Sequence, residues 1–240
     1  MRLIEPSTTL GAVAVVLASL APTPARAEYV DLELILAVDS SSSVDYSEFS
    51  IQMTGLAAAF RNPLLMKALE SVGEGGIAVA LVQWSDSTKQ VVAIGWTKVF
   101  DAASSAAYAD MIEATPRFID GGGTSISGAL DFSVPLFEAN DFYGRRKAID
   151  VSGDGRNNHG RFGYVARDET VAAGITINGL AILNEEPGVD LHYAKYVIGG
   201  PGAFLVTADD YADFADVVLL KLIREISGDI LVSLPGPPAL

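Results

Sequence analysis

Apolar runs of strand length alternate with helical patterns of apolar residues from residue 32 onward. Residues 32–38 are apolar apart from Glu33, as expected for a strand that is covered on both faces of a sheet. Strands that alternate with helices along a chain are typical of a mostly parallel sheet with helices packed against it. The pattern therefore predicts an α/β fold, whose further strands are expected at residues 77–84, 90–96, 147–151, 175–183 and 203–206.

The first predicted helix carries a clear start signal. Asp45 stands three residues before Glu48, which is a variant of the capping box. Apolar residues then recur at helical spacing until Pro63 interrupts the pattern. The residues expected on the buried face are Tyr46, Phe49, Met53, Leu56, Ala57 and Phe60. Further helices are predicted at residues 102–114, from 125 onward with Pro135 inside the pattern, and at 164–173, 189–197 and 210–226.

One strand pair is expected to be antiparallel. The strands at residues 77–84 and 90–96 are joined by a short turn that contains Ser-Asp-Ser-Thr. Parallel neighbours need a crossover of a dozen or more residues, so this link is too short for them.

The first of three polar loops follows the first strand directly, with the sequence Asp-Ser-Ser-Ser-Ser at residues 39–43. Alternate side chains of an extended segment point the same way. Asp39, Ser41 and Ser43 are therefore expected to present three oxygen atoms to one side. Oxygen ligands suit Mg²⁺ or Ca²⁺ better than zinc or copper.

Two later loops carry similar side chains. Thr124 follows three glycines at residues 121–123, and Asp154 lies in a Ser-Gly-Asp-Gly segment after the predicted strand at 147–151. Loops after the carboxyl ends of parallel strands gather at one edge of a sheet. Each loop alone also has a plain structural interpretation as a helix cap or a turn. Their occurrence together in this order favours a common cation site.

With these motifs the sequence resembles the von Willebrand factor type A (vWA) domain family. The metal-ion-dependent adhesion site (MIDAS) of that family uses Asp-x-Ser-x-Ser, a threonine on a later loop and an aspartate after a central strand. Asp39, Ser41, Ser43, Thr124 and Asp154 match this pattern, and the resemblance spans residues 29–228. The chain departs from the family at residue 153, where glycine replaces the usual threonine. It looks most similar to exported bacterial members that carry only a domain-of-unknown-function label.

The resemblance implies a Rossmann-like, doubly wound sheet of six mostly parallel strands, with one antiparallel edge strand and helices on both faces. It also implies that Ser41, Ser43 and Thr124 ligate Mg²⁺ through neutral hydroxyls, while Asp39 and Asp154 act directly or through water. Mn²⁺ or Ca²⁺ are possible substitutes. The ion would keep an open position for an acidic side chain of a protein partner, so the protein is expected to be a binding module and not an enzyme.

A serine hydrolase is one alternative. Residues 123–127, Gly-Thr-Ser-Ile-Ser, are close to the Gly-x-Ser-x-Gly nucleophile elbow but lack its final glycine. His159 and His192 are the only histidines that could act as the base.

A phosphate or nucleotide site is the other alternative, because residues 121–124 form a glycine-rich segment before a predicted helix. The segment lacks both the Gly-x-Gly-x-x-Gly fingerprint and a following lysine. A metal-dependent phosphatase that uses Asp39 is a weaker variant, since the second acidic residue of the usual pair is missing.

Composition and charge narrow the function further. The 240 residues are half apolar and suit one well-buried domain. The chain has no cysteine, which excludes thiol chemistry and zinc-thiolate sites, and its net charge of -14 argues against nucleic acid as a partner. The sequence leaves the oligomeric state open.

The N-terminal residues predict export. Arg2, an apolar stretch at residues 10–20 and Ala-Arg-Ala at 25–27 fit a signal peptide over residues 1–27, and the apolar run is too short to span a bilayer. The predicted metal-binding domain is then residues 28–228, followed by a Pro-rich tail at 229–240. We therefore expect a periplasmic or secreted protein.

Overall fold

A six-stranded sheet forms the centre of the protein in a computed structural model that describes residues 27–228. The strands are β1 (Glu28–Asp39), β2 (Ile77–Trp84), β3 (Gln90–Val99), β4 (Phe142–Gly153), β5 (Thr176–Ile182) and β6 (Leu205–Ala208). Their order across the sheet is β3-β2-β1-β4-β5-β6. All pairs are parallel except β2 with β3, which is antiparallel and lies at the edge. The predicted doubly wound α/β fold is confirmed. The predicted signal peptide, apart from Ala27, and the Pro-rich tail lie outside the described residues.

Within residues 27–228, seven α-helices flank the sheet, and all but the last lie between strands in the chain. They are α1 (Tyr46–Arg61), α2 (Pro63–Ser71), α3 (Ala102–Ala114), α4 (Ile126–Ser133), α5 (Gly163–Ala172), α6 (Val189–Tyr196) and α7 (Phe214–Ser227). A 3-10 helix at Val134–Phe137 continues α4. Pro135 lies in this segment, where it cannot donate the backbone hydrogen bond that would extend the α-helix.

The capping signals of the sequence have the expected effects. Asp45 accepts a hydrogen bond from the backbone N–H of Glu48 at 2.8 Å, and the Glu48 carboxylate accepts one from the N–H of Asp45 at 2.8 Å. This confirms the capping box of α1. Pro63 ends the pattern of α1 but also begins α2, because proline suits the first turn of a helix.

Some predictions about the elements were wrong in detail. Tyr46 was expected in the core, but it is 69% exposed and its hydroxyl donates to Asp120. The fourth strand is longer than predicted and runs beside β1 over Phe142–Gly153. There the buried Glu33 carboxylate accepts a hydrogen bond from the N–H of Gly144. The last helix begins at Phe214 and not at residue 210.

Two apolar layers hold the helices against the sheet. One side packs α1, α2, α3 and α7 around residues such as Leu34, Phe60 and Phe214. The other side packs α4, α5 and α6 around residues such as Ile35 and Tyr193. Among residues 27–228, none of the helices has both the length and the apolar character that crossing a membrane requires.

A buried ionic cluster fastens α7 to the sheet. Lys221 is fully buried and pairs with Asp150 of β4 and with Glu225, whose carboxylate lies 2.9 Å from the lysine Nζ. The amide of Asn178 on β5 donates to Glu225 at 3.0 Å. Burial raises the pKa of Glu225, and the neighbouring Asp150 adds to this, while Lys221 lowers it. The lysine is therefore the charge that makes two buried carboxylates tolerable here.

Candidate metal centre

Asp39 lies at the carboxyl end of β1 and is fully buried. Its Oδ1 accepts a hydrogen bond from the backbone N–H of Ser41 at 2.7 Å, whereas its buried Oδ2 has no hydrogen-bond partner. Burial, and then the nearby Asp154 carboxylate, raise the pKa of Asp39 to about 8. A buried carboxylate oxygen without a partner is costly, and a cation at this point would relieve the cost.

The hydroxyls of the first loop reach the carboxylate of the third loop. The Ser41 and Ser43 hydroxyl oxygens lie 3.1 Å apart, and Ser43 donates to Asp154 Oδ1 at 2.7 Å. The other Asp154 oxygen accepts a hydrogen bond from the Tyr211 hydroxyl at 3.1 Å. Burial raises the pKa of Asp154 as well, while the hydrogen bonds from Ser43 and Tyr211 oppose that rise. Two loops that are 111 residues apart in sequence thus meet, as their positions at one sheet edge predict.

Thr124 fastens the second loop to the third. Its backbone N–H donates to the Asn158 side chain at 2.9 Å, and its carbonyl accepts from the N–H groups of Asn158 and His159. Its side chain is 4% exposed, and a Cβ placed on Gly155 would lie 3.4 Å from the Thr124 hydroxyl. The hydroxyl is therefore beside the residue that follows Asp154.

The glycines before Thr124 allow the second loop to touch the first. Gly121 and Gly122 have φ values of 63° and 135°, which side-chain-bearing residues rarely adopt. A Cβ on Gly121 would lie 2.7 Å from the Ser42 hydroxyl, and the Gly122 N–H donates to that hydroxyl at 2.8 Å. The second loop therefore lies in direct contact with the first at these glycines.

Arg117 supports the first loop, and the sequence analysis missed it. Its guanidinium donates to the carbonyls of Ser40 and Ser41 at 3.0 and 3.1 Å. The guanidinium carbon also lies 5.1 Å from the ring centroid of the exposed Tyr46. A single arginine that binds backbone carbonyls leaves no spacing pattern in a sequence.

Gly153 explains the departure from the family pattern. A Cβ at this position would lie 2.7 Å from Asp39 Oδ2 and 2.8 Å from the Tyr193 hydroxyl. The Asp39 carboxylate therefore takes the space in which a threonine side chain would begin.

Ser43, Thr124 and Asp154 line an open groove of about 530 Å³, whereas the fully buried Asp39 and Ser41 are not among its lining residues. Glu185, Glu186 and Arg156 form part of its wall. Within residues 27–228, groups of three or more His, Cys, Asp or Glu side chains suited to a metal do not occur. The donor set here consists of two carboxylates and three hydroxyls, and it fits a hard divalent cation because that cation prefers oxygen.

Ser125, the serine of the hydrolase alternative, has a structural role. It is fully buried, its hydroxyl accepts a hydrogen bond from the Gly128 N–H at 3.1 Å, and it caps α4. The imidazole rings of His159 and His192 accept hydrogen bonds from the backbone N–H groups of Ser87 and Asn157, respectively. The arrangement favours a helix cap over a nucleophile elbow.

A comparison with protein families gives one match. Residues 29–230 match the model of a family described as "Protein of unknown function (DUF1194)". The sequence has no significant match among curated proteins.

Solved structures share the fold. Proximal thread matrix protein 1 from the mussel byssus has a TM-score of 0.62 and 20% identity over 82% of this chain and 48% of its own, so this chain spans about half its length. A second structure of that protein, with a zinc-occupied MIDAS motif, has a TM-score of 0.57, 17% identity and the same coverage of 82% and 48%.

Two bacterial domains are also similar. The von Willebrand factor type A protein from Catenulispora acidiphila has a TM-score of 0.56 and 16% identity over 83% of this chain and 43% of its own. The vWF domain of the type V pili tip protein Mfa5 from Porphyromonas gingivalis has a TM-score of 0.56 and 13% identity over 82% and 95%. At these identities the comparisons establish the fold, which is that of vWA domains.

Proposed function

The chain belongs to the DUF1194 family, and we propose that it is a metal-dependent module of the adhesion type that binds another protein. The observation that carries the proposal is the contact of Ser43 with Asp154 beside a buried Asp39 oxygen that has no hydrogen-bond partner. Asp39 and Asp154 lie at the carboxyl ends of the adjacent strands β1 and β4, and from these two strands the strand order continues in opposite directions across the sheet. Open α/β sheets bind ligands at such a point.

In this proposal Ser41, Ser43 and Thr124 hold Mg²⁺ through their hydroxyls, and Asp39 and Asp154 hold it directly or through water. The ion supplies an electrophilic centre that accepts a carboxylate of the partner, because neutral ligands leave its charge incompletely compensated. Mn²⁺ or Ca²⁺ could replace it, since both also accept oxygen ligands.

The names of the similar structures support this function. One holds zinc in a MIDAS motif, and another is the vWF domain of a pilus tip protein. A protein ligand that presents an acidic side chain is consistent with these names. A periplasmic or secreted location, which the N-terminal sequence predicts, would place the site where such ligands occur.

Thr124→Val is expected to weaken Mg²⁺ binding by about 10–100-fold, because it removes one oxygen ligand and keeps the side-chain shape. The hydrogen bonds of the Thr124 backbone to Asn158 and His159 remain, so the loop should keep its position. Isothermal titration with Mg²⁺ and with Mn²⁺ measures the change. Thr207→Val on the exposed side of β6 is the matched control. Equal affinities of the wild-type protein and Thr124→Val for Mg²⁺ would contradict the proposed metal site.

The protein-binding part of the proposal is tested separately. Peptides are selected from a random phage-displayed library on the immobilised wild-type protein in Mg²⁺ and are eluted with EDTA. We expect acidic residues to be enriched, and we expect the peptides to be lost from Thr124→Val. A functioning metal site that selects no EDTA-eluted peptide would contradict a peptide-binding role.

Gly153→Ala is expected to lower the affinity for Mg²⁺ by about 10–100-fold, as is typical when a group next to a metal ligand is changed. The added Cβ would displace the Asp39 carboxylate, which lies 2.7 Å from that position. Gly95→Ala is the control, since a Cβ there meets no atom within 4 Å. The same titration compares the two variants, and an unchanged affinity in Gly153→Ala would show that Asp39 does not depend on this space.

A further inference from the structure

A row of aromatic rings lies on the surface of α5 and α6. Phe162 and Tyr164 stack with ring centroids 5.6 Å apart, and Tyr164 lies 6.4 Å from Tyr196. The ring of His192 lies 5.2 Å from that of Tyr196. We call Phe162, Tyr164 and Tyr196 the aromatic strip.

Two of the three rings of the strip are exposed. Phe162 is 70% and Tyr164 41% accessible, and Tyr196 is partly buried. Single exposed apolar residues are ordinary, but contiguous aromatic rings are enriched at binding surfaces because they supply large contact areas at low entropic cost. The three neighbouring rings therefore indicate a binding surface, which a single exposed ring would not.

Phe162 also occupies a position that suits it poorly. It is the N-cap residue of α5, where it makes no side-chain cap hydrogen bond. Ser, Thr, Asp and Asn are the favoured residues at an N-cap, and α1 and α3 use Asp45 and Asp101 there. Local rules of this kind are commonly broken at functional sites. With Phe162 at its N-cap, α5 is less stable than it would be with a capping residue. This is expected of a residue that is retained for contact with a ligand.

The strip begins where the groove of the metal centre ends. Asn157 lines the groove, and its side-chain amide donates to the carbonyl of Arg161, the residue before Phe162. Its backbone N–H donates to His192, and a Cβ on Gly163 would lie 3.6 Å from the Asn157 Cβ. Asn157 therefore links the wall of the groove to the start of α5 and to α6, which carry the strip.

The charges around the strip indicate what it would accept. Arg161 is already paired with Asp131 and Glu169, and Lys195 lies 5.0 Å from the Tyr196 ring centroid. A positively charged side chain of the partner is disfavoured here, because Lys195 already faces the Tyr196 ring. A bulky apolar side chain would bury ring surface without disturbing these charges.

We propose that the aromatic strip is a second contact for the protein ligand of the metal centre, and that this ligand carries a bulky apolar side chain in addition to its acidic residue. The inference rests on the proposed function. It adds a requirement that the metal centre alone does not impose, because an ion selects a carboxylate but not the residues near it.

Phe162→Ser separates ligand binding from stability. Serine can cap α5, so the melting temperature is expected to rise by about 2–4 °C. The affinity for Mg²⁺ should not change, whereas the peptides selected on the wild-type protein should bind at least about fivefold more weakly. Phe100→Ser is the matched control, because Phe100 is 53% exposed and follows β3 at the opposite edge of the sheet.

The outcomes are distinct. Selected peptides that combine an acidic residue with Phe, Leu, Ile, Met or Trp, and that bind less well to Phe162→Ser than to Phe100→Ser, support the inference. Acidic peptides without such a residue, or equal binding to both variants, overturn it and leave the proposed function intact. A marked fall in the melting temperature of Phe162→Ser would show that the ring supports the fold and would overturn the inference. Selection of no EDTA-eluted peptide overturns both proposals.

Discussion

Lys221→Met is expected to lower the free energy of unfolding by about 3–5 kcal/mol, because it leaves two buried carboxylates without their cation. Lys221 is fully buried between Asp150 and Glu225, which are 4% and 3% exposed. Methionine has a similar length and replaces the packing of the lysine stem. The loss therefore comes from uncompensated charge and not from a cavity.

The loss should depend on pH in a defined direction. Burial raises the pKa of Glu225 above its value in the unfolded chain, and removing Lys221 removes an interaction that lowers it. A carboxyl group with a raised folded-state pKa destabilises the fold increasingly as the pH rises above its unfolded value. The difference between Lys221→Met and wild type should consequently be smaller at pH 5 than at pH 8.

Urea unfolding at both pH values measures this difference. Lys67→Met on the exposed face of α2 is the matched control and should stay within about 0.5 kcal/mol of wild type. Restoration of stability in Lys221→Met by Asp150→Asn with Glu225→Gln would identify charge as the cause. A loss of similar size at both pH values would instead indicate packing.

Asp39→Asn is expected to abolish the proposed metal binding while stabilising the metal-free protein. Removing one charge at about 4 Å from a cation costs roughly 4 kcal/mol or more, which corresponds to about a 1,000-fold loss of affinity. In the metal-free state the same change removes a buried carboxylate that lies near Asp154. We expect a gain of about 1–3 kcal/mol from relieving that burial.

Thermal unfolding with EDTA measures the stability of the metal-free protein, and unfolding with excess Mg²⁺ measures the stabilisation by the metal. At about 100 times the dissociation constant, Mg²⁺ should stabilise the wild-type protein by about 2.7 kcal/mol, and it should leave Asp39→Asn unchanged. Asp209→Asn, at an exposed carboxylate, is the control. An Asp39→Asn protein that is less stable than wild type in EDTA would show that the carboxylate supports the fold without a metal.

The sequence predicted most of the features that arise from local pattern. The alternation of strands and helices, the antiparallel edge and the capping box of α1 were all readable, because each depends on residues close together in the chain. The meeting of Ser43 with Asp154 was also predictable, since the topology of a parallel sheet brings the ends of its strands to one edge.

Other features depend on which surfaces face each other, and the sequence did not reveal them. Lys221 and Glu225 read as an ordinary surface pair at i,i+4 until the position of Asp150 on the facing strand is known. Arg117 holds the first loop through the backbone carbonyls of Ser40 and Ser41, and a contact to backbone atoms leaves no side-chain pattern in the sequence. Tyr46 fits the apolar period of α1, but it lies in the first turn and is exposed beside Arg117.

The hydrogen bonds between Thr124 and Asn158 have a consequence for the speed of ion capture. They join the second and third loops before any ion arrives, so these loops need little ordering when it binds. Mg²⁺ gives up its water reluctantly. We therefore expect the ion's own dehydration, and not a movement of the chain, to limit the rate at which the site fills.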